Sequence, residues 1–228
     1  MQTCKPALVR NGFSSFDLKC IAVCSMLIDH IGAYLFPAEL WMRYVGRLAF
    51  PIYGFLIAEG YAHTRNVGKY MGRLFLFALL SEIPYDLVRY NTLVYKDRQN
   101  IFFTLFLALV CIWAWDTFQA QFLIACLVLA LVGVLSHYVI QPEYGICGIL
   151  MILCFYIFRM QQTEQFLSVA TINICCYDNI QRAGALALIP IWFYNGKKGP
   201  SAKYFFYVFY PAHLLLLYLI RRYLIHVV

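Results

Sequence analysis

The stretch Phe16–Phe36, FDLKCIAVCSMLIDHIGAYLF, decides how the rest of the chain is read. Its 21 residues are long enough for a helix to cross a bilayer core. Most are apolar, yet Asp17 and Lys19 stand near one end and Asp29 and His30 further along. An ionisable residue inside a spanning helix costs at least ~2.5 kcal/mol on insertion scales, so each one marks a candidate functional site. Asp29 beside His30 sets an acid next to the side chain best suited to proton transfer near neutral pH. The alternative is interfacial: Lys19 snorkels to the headgroups while Asp29 and His30 pair structurally at the far boundary.

The remainder of the chain shares this character. Its 228 residues are 63% hydrophobic and 13% charged, where a soluble domain is roughly 25% charged and about half apolar. Mean hydropathy is +0.69. Lipid satisfies no backbone polar group, which leaves helices or a closed barrel, and the alternating polarity of a barrel is absent. The expected fold is therefore all-α, a polytopic transmembrane bundle of about eight or nine spans around a polar intramembrane cavity. Spans are predicted near 16–36, 44–62, 70–88, 100–116, 120–139, 145–160, 165–177, 180–195 and 203–223. The pair around 165–195 is short enough to be re-entrant or broken. Residues 1–228 read as a single integral-membrane domain, with 1–15 a short basic tail and no cleavable signal peptide.

The net charge of +7 fits basic loops that hold a topology, so no nucleic-acid partner is expected. Arg65, Lys69 and Arg73 fall on the same side as Lys5, Arg10, Lys197, Lys198 and Lys203 in a nine-span count. Arg89, Lys96 and Arg98, with Arg221 and Arg222, fall on the other side and weaken the bias. The nine cysteines form no Cys-x-x-Cys or Cys/His pattern, so no metal is expected.

Further polar clusters punctuate the apolar runs. Arg47 lies in a stretch loosened by Pro51 and Gly54, and Glu59 and His63 are four apart on one helix face. Glu82 and Asp86 are also four apart, around Pro84, and need a cation such as Arg47, Lys19 or Arg73 to answer them. Tyr210-Pro211-Ala212-His213 sets a histidine just beyond a helix break in the last span. Asn195-Gly196-Lys197-Lys198-Gly199 is a basic turn that either holds topology or receives a phosphate. Together the clusters suit an intramembrane enzyme, a channel or a transporter, and composition does not choose between them.

The motifs supply a direction. Lys19-Cys20-Ile21-Ala22 through Met26-Leu27-Ile28-Asp29-His30-Ile31-Gly32 resembles the opening motif of the TraX family. Gly46-Arg47-Leu48-Ala49-Phe50-Pro51-Ile52, Glu59-Gly60-Tyr61, Ser81-Glu82-Ile83-Pro84-Tyr85-Asp86, Glu143-Tyr144-Gly145 and Tyr210-Pro211-Ala212-His213 resemble its later ones, in order, over about residues 16–220. The resemblance implies an integral-membrane acetyltransferase of the cell membrane, the bacterial inner membrane. The family's namesake acetylates the amino terminus of F-type conjugative pilin, with acetyl-CoA as the expected donor. A more distant similarity is to membrane acyltransferases that carry an Arg eleven residues before a His in their first span. Here Lys19 and His30 have that spacing, about 16 Å along one side of a helix.

The expected activity is thus acetyl transfer from acetyl-CoA to an amine or hydroxyl on a small molecule or peptide, without a metal. His30 is the expected general base, with Asp29, Glu82, Asp86 and His213 as catalytic partners. Lys19, Arg47, Arg65, Lys69, Arg73, Lys197 and Lys198 are expected to hold the CoA, and Glu59, His63 and Tyr210 the acceptor. Adjacent residues on a helix are about 100° apart, so Asp29 need not touch His30. A proton-coupled transporter using the same residues as a relay is the competing reading, and a structural membrane subunit a third.

Overall fold

The computed structural model describes residues 12–177 and 179–225, apart from the side chains at 203, 224 and 225. The tail residues Lys5 and Arg10 and the side chain of Lys203 lie outside the described part. Among the described residues the chain is all-helical, with ten α-helices and no strand: α1 (Ser15–Tyr34), α2 (Leu40–Gly46), α3 (Ala49–Ala62), α4 (Val67–Tyr90), α5 (Ile101–Thr117), α6 (Phe122–Leu135), α7 (Gly145–Ile157), α8 (Gln162–Cys175), α9 (Leu188–Trp192) and α10 (Lys203–Ile220). A π-helical turn, Ser136–Ile140, prolongs α6, and another, Arg221–Ile225, prolongs α10.

Several expected spans take a different form. The predicted 44–62 segment breaks at Arg47 and Leu48 into α2 and α3. The predicted 180–195 segment is a 3₁₀ run, Gln181–Ala187, followed by the five-residue α9, which contains Pro190. Among the described residues, only Phe122–Ile140 and Tyr204–Tyr223 are both long enough and apolar enough to cross a membrane by themselves. α1 and α4 have the length but carry charged residues, whereas α5 and α7 have the apolarity in 17 and 13 residues.

The helices run alternately between two ends. At one end Phe13 pairs with Tyr194, and Asp116 receives the hydroxyls of Tyr61 and Tyr156 at 3.0 and 2.7 Å. At the other, Gln99 pairs with Pro142, Tyr177 donates to the Tyr144 carbonyl, and Arg221 reaches the Val88 carbonyl. The core between them is aliphatic and aromatic, with Phe50 and Phe155 wholly buried and Phe50 stacked on Tyr144. α6 does the opposite: Phe122, Leu123, Leu127 and Leu131 are all more than half exposed, and only Ala125 and Val132 are buried.

Candidate functional site

The starting turn of α1 fixes one side of the site. Ser14 caps the helix, its Oγ accepting from the Asp17 amide while Asp17 accepts from the Ser14 amide at 2.8 Å. Asp17 is thus a capping residue, which satisfies orphan backbone donors of the helix start. The same segment is stitched to the basic turn: Phe13 N–H donates to Phe193 O, Asn195 N–H to Phe13 O, and Ser15 N–H to Lys197 O. Gly199 completes the seam with a left-handed φ of 69°, and a Cβ there would lie 2.5 Å from Ser14 Oγ. Only glycine satisfies both demands. The Phe16 N–H in turn donates to Lys198 O, so Lys198 is tied to the start of the helix that carries Lys19.

These two lysines and Arg73 line a cavity of about 460 Å³ together with Glu59, His63 and Tyr210. The cations come from three separate elements. Lys19 Nζ lies 5.6 Å from the Phe206 ring centroid and the Arg73 guanidinium 5.6 Å from that of Tyr70. Against three cations stands one carboxylate, Glu59, which accepts from the Tyr194 hydroxyl at 3.3 Å and lies 3.7 Å from His63 Nδ1. Arg65, Lys69 and Lys197 are exposed neighbours of the lining residues Thr64, Tyr70 and Lys198 and do not themselves line the cavity.

Tyr210 forms the inner wall. It is 4% exposed, its hydroxyl has no hydrogen-bond partner among the described residues, and its ring lies 6.2 Å from that of His30 and 5.7 Å from that of His213. Behind it, His30 Nδ1 and His213 Nε2 are 2.6 Å apart in rings tilted by only 7°. His213 Nδ1 is 2.7 Å from the Phe209 carbonyl, one turn earlier in α10. A carbonyl only accepts, so His213 Nδ1 carries the proton. In a neutral pair His213 Nε2 then accepts, His30 Nδ1 donates, and His30 Nε2 is left with its lone pair. That is the arrangement of an oriented base.

The other expected partners serve elsewhere. Asp29 does not meet His30. It pairs with Arg47, and with Arg43 at 3.2 Å, while Arg47 also donates to Gln181 Oε1 and the Arg43 carbonyl. Arg47 therefore does not join the cation rim; Asp29 lies ten residues beyond Lys19 on α1, about 15 Å along the helix. Gly46 makes room for this pair, since a Cβ there would overlap Asp29. Glu82 accepts from the backbone and side chain of Asn100, the residue that caps α5. Asp86, 2% exposed, accepts from the Tyr95 amide at 2.8 Å. Both carboxylates accept from loop or helix-start donors, Asp86 through Oδ2 alone, and among the described residues neither hydrogen-bonds a histidine or lines the cavity. An i,i+4 acid pair is equally suited to that task.

Three contributions escaped the sequence reading. Arg43, four residues before Arg47 and on its face, is the second cation on Asp29. Arg89 pairs with Glu143 at 3.0 Å; in sequence the first is a loop charge and the second a motif residue, 54 positions apart. Gln181 gave no signal at all. No group of three or more metal-ligating side chains occurs among the described residues.

No solved structure matches the chain. Known sequences do. It is 32% identical over 234 residues to the probable fimbrial assembly protein FimC, serogroup H1, of Dichelobacter nodosus, covering 90% of this chain and 94% of that one. It is 27% identical over 217 residues to Protein TraX of Escherichia coli, covering 88% and 84%. The family model described as TraX protein matches residues 14–221, a span that takes in the cation rim, the histidine pair and the Asp29 cluster alike, and the chain accordingly belongs to the TraX family.

Proposed function

We propose that this protein is a multi-pass membrane enzyme, one integral unit, that moves an acetyl group from acetyl-CoA to an amine, or to a hydroxyl, of a small molecule or a peptide amino terminus. The observation that carries the reading is the cavity whose mouth bears Lys19, Arg73 and Lys198 and whose inner wall, Tyr210, backs the His30–His213 pair. Cations from three elements suit the phosphates of CoA, which cannot enter hydrocarbon. An apolar interior lined by Met26, Leu56, Ile57 and Phe102 suits the pantetheine arm. Lipid as the surrounding solvent accounts for the bare apolar face of α6, which water would penalise at about 25 cal/mol per Å².

In this scheme Tyr210, the lining residue that separates the cavity from His30, turns aside, the acceptor nitrogen attacks the thioester carbonyl, and its proton passes to His30 Nε2. The C–S bond breaks and CoA leaves as the thiol, taking a proton back. His213 holds the His30 tautomer through the Nδ1···Nε2 bond. Tyr210, a buried hydroxyl without a partner, is the donor available to the developing oxyanion once it turns toward the carbonyl. The test is incubation of purified protein with acetyl-labelled acetyl-CoA and a panel of amines, sugars and peptides, reading label transfer and thiol release. No transfer to any acceptor, with no stabilisation by CoA, would favour the proton-coupled transporter instead.

A further inference from the structure

A second cavity, of about 320 Å³, adjoins the first and shares Glu59, His63, Tyr194 and Gly196 with it. Its remaining walls include Arg159, Gln165 and Phe166 from the α7–α8 corner and Trp192 from α9, none of which touches the first cavity. Resting on the acetyl-CoA reading above, we propose that this second cavity seats the adenine ring of the donor. The phosphates then cross the shared wall at Gly196 to meet Lys198, and the pantetheine arm descends into the first cavity.

The walls are aromatic and set for a flat ring. Phe166 meets Trp192 edge to face with centroids 5.4 Å apart, and Phe55 meets Tyr194 in the same way at 5.1 Å. Trp192 keeps half of its surface exposed, so a face remains open for stacking. Gln165 adds direction. It is 6% exposed, and its Nε2 donates to the Phe155 carbonyl at 2.8 Å. That contact fixes which end of the amide is nitrogen. Its Oε1 accepts no hydrogen bond from the described residues and offers an acceptor, the complement of the exocyclic amine of adenine. Charge separates the two cavities. The first sets Lys19, Arg73 and Lys198 against Glu59; the second sets Arg159 alone against the same Glu59. An anionic group belongs in the first and a neutral ring in the second. An ammonium would gain nothing from a cavity whose carboxylate is matched by a guanidinium.

The full chain in lipid nanodiscs is titrated calorimetrically with CoA, 4′-phosphopantetheine, 3′,5′-ADP and n-hexylamine, as wild type, Trp192→Ala and Trp192→Phe. Trp192→Ala should raise the Kd for CoA and 3′,5′-ADP about tenfold, the order of one base stack. It should leave 4′-phosphopantetheine unchanged, and Trp192→Phe should restore nucleotide binding. The proposal is overturned if wild type binds CoA but not 3′,5′-ADP, or if Trp192→Ala weakens 4′-phosphopantetheine as much as CoA. It is overturned too if n-hexylamine, and not the nucleotide, depends on Trp192, which would make this the acceptor's site. Wild type that binds neither CoA nor 4′-phosphopantetheine removes the donor reading itself.

Discussion

Asp29→Ala separates the structural role of this carboxylate from the chemistry of its neighbour His30. The Asp29 side chain is 8% exposed, that of Arg47 15% and that of Arg43 27%. Removing the carboxylate leaves the Arg47 charge with only the neutral Gln181 side chain and the Arg43 carbonyl. Breaking a buried pair from one side costs about 3–5 kcal/mol, because the surviving charge stays desolvated. Arg43 adds little to that figure, since solvent screens its part of the pairing. At about 2–4 °C per kcal/mol for a chain of this size, the melting temperature should fall by about 6–20 °C. The double variant Asp29→Ala/Arg47→Met should recover most of the loss, as the one cation left without its carboxylate is then Arg43, whose side chain is 27% exposed and reaches solvent. Thermal unfolding in detergent, followed by intrinsic fluorescence, measures both. A single variant that melts within a degree of wild type, or a double variant that melts below the single, would refute the reasoning.

Other consequences follow from the same geometry. His30→Ala should lower the transfer rate by about 10²–10⁴-fold while the Kd for CoA stays near wild type, because a base acts in the chemistry and not in donor binding; single-turnover transfer and calorimetry check the two halves. His213→Ala should lower kcat less than His30→Ala, since it removes only the group that fixes the tautomer. Lys198→Gln should raise the KM for acetyl-CoA more than it lowers kcat, whereas Lys197→Gln, one residue outside the lining, should do less. Asn100→Ala strips the α5 cap and removes the side-chain donor to Glu82, which keeps only the residue-100 amide; this should cost about 1–3 kcal/mol in thermal unfolding with CoA affinity retained.

Much of this was legible in the chain. Helical class followed from the absence of alternation in the apolar runs, and the histidine in the first predicted span and the one beyond Pro211 stood out as ionisable groups within apolar runs. Their contact was not legible: 183 residues separate them, and nothing local to either motif says that α1 and α10 are neighbours. The breaks were legible only in part. Arg47 ends α2 and turns back on Arg43 and Asp29, a tertiary demand that overrides the apolar continuity of the 44–62 run. Glu82 and Asp86 show how little spacing says about partners. Two carboxylates on one helix face suggest a reactive centre, yet each satisfies an amide of the segment Tyr95–Asn100, and which amide lies opposite depends on where that loop folds.

The adjacency of Asp29 and His30 has a simple geometric meaning. Successive residues on a helix point about 100° apart, so neighbours in sequence address different partners. Asp29 faces α2 and, through Arg47, the 3₁₀ run at Gln181; His30 faces α10 and Tyr210. The first contact locks the rotation of α1 about its axis, and the second depends on that rotation, because a hydrogen bond between two imidazoles is lost within a fraction of an ångström. Under the proposed acetyl transfer, Asp29 is a positioning residue that acts on His30 through the backbone of α1. Lys19, at the other end of the same helix, turns with it, so one ion pair sets the register of both the cation rim and the base. This accounts for an acid beside the histidine even though the two side chains do not touch.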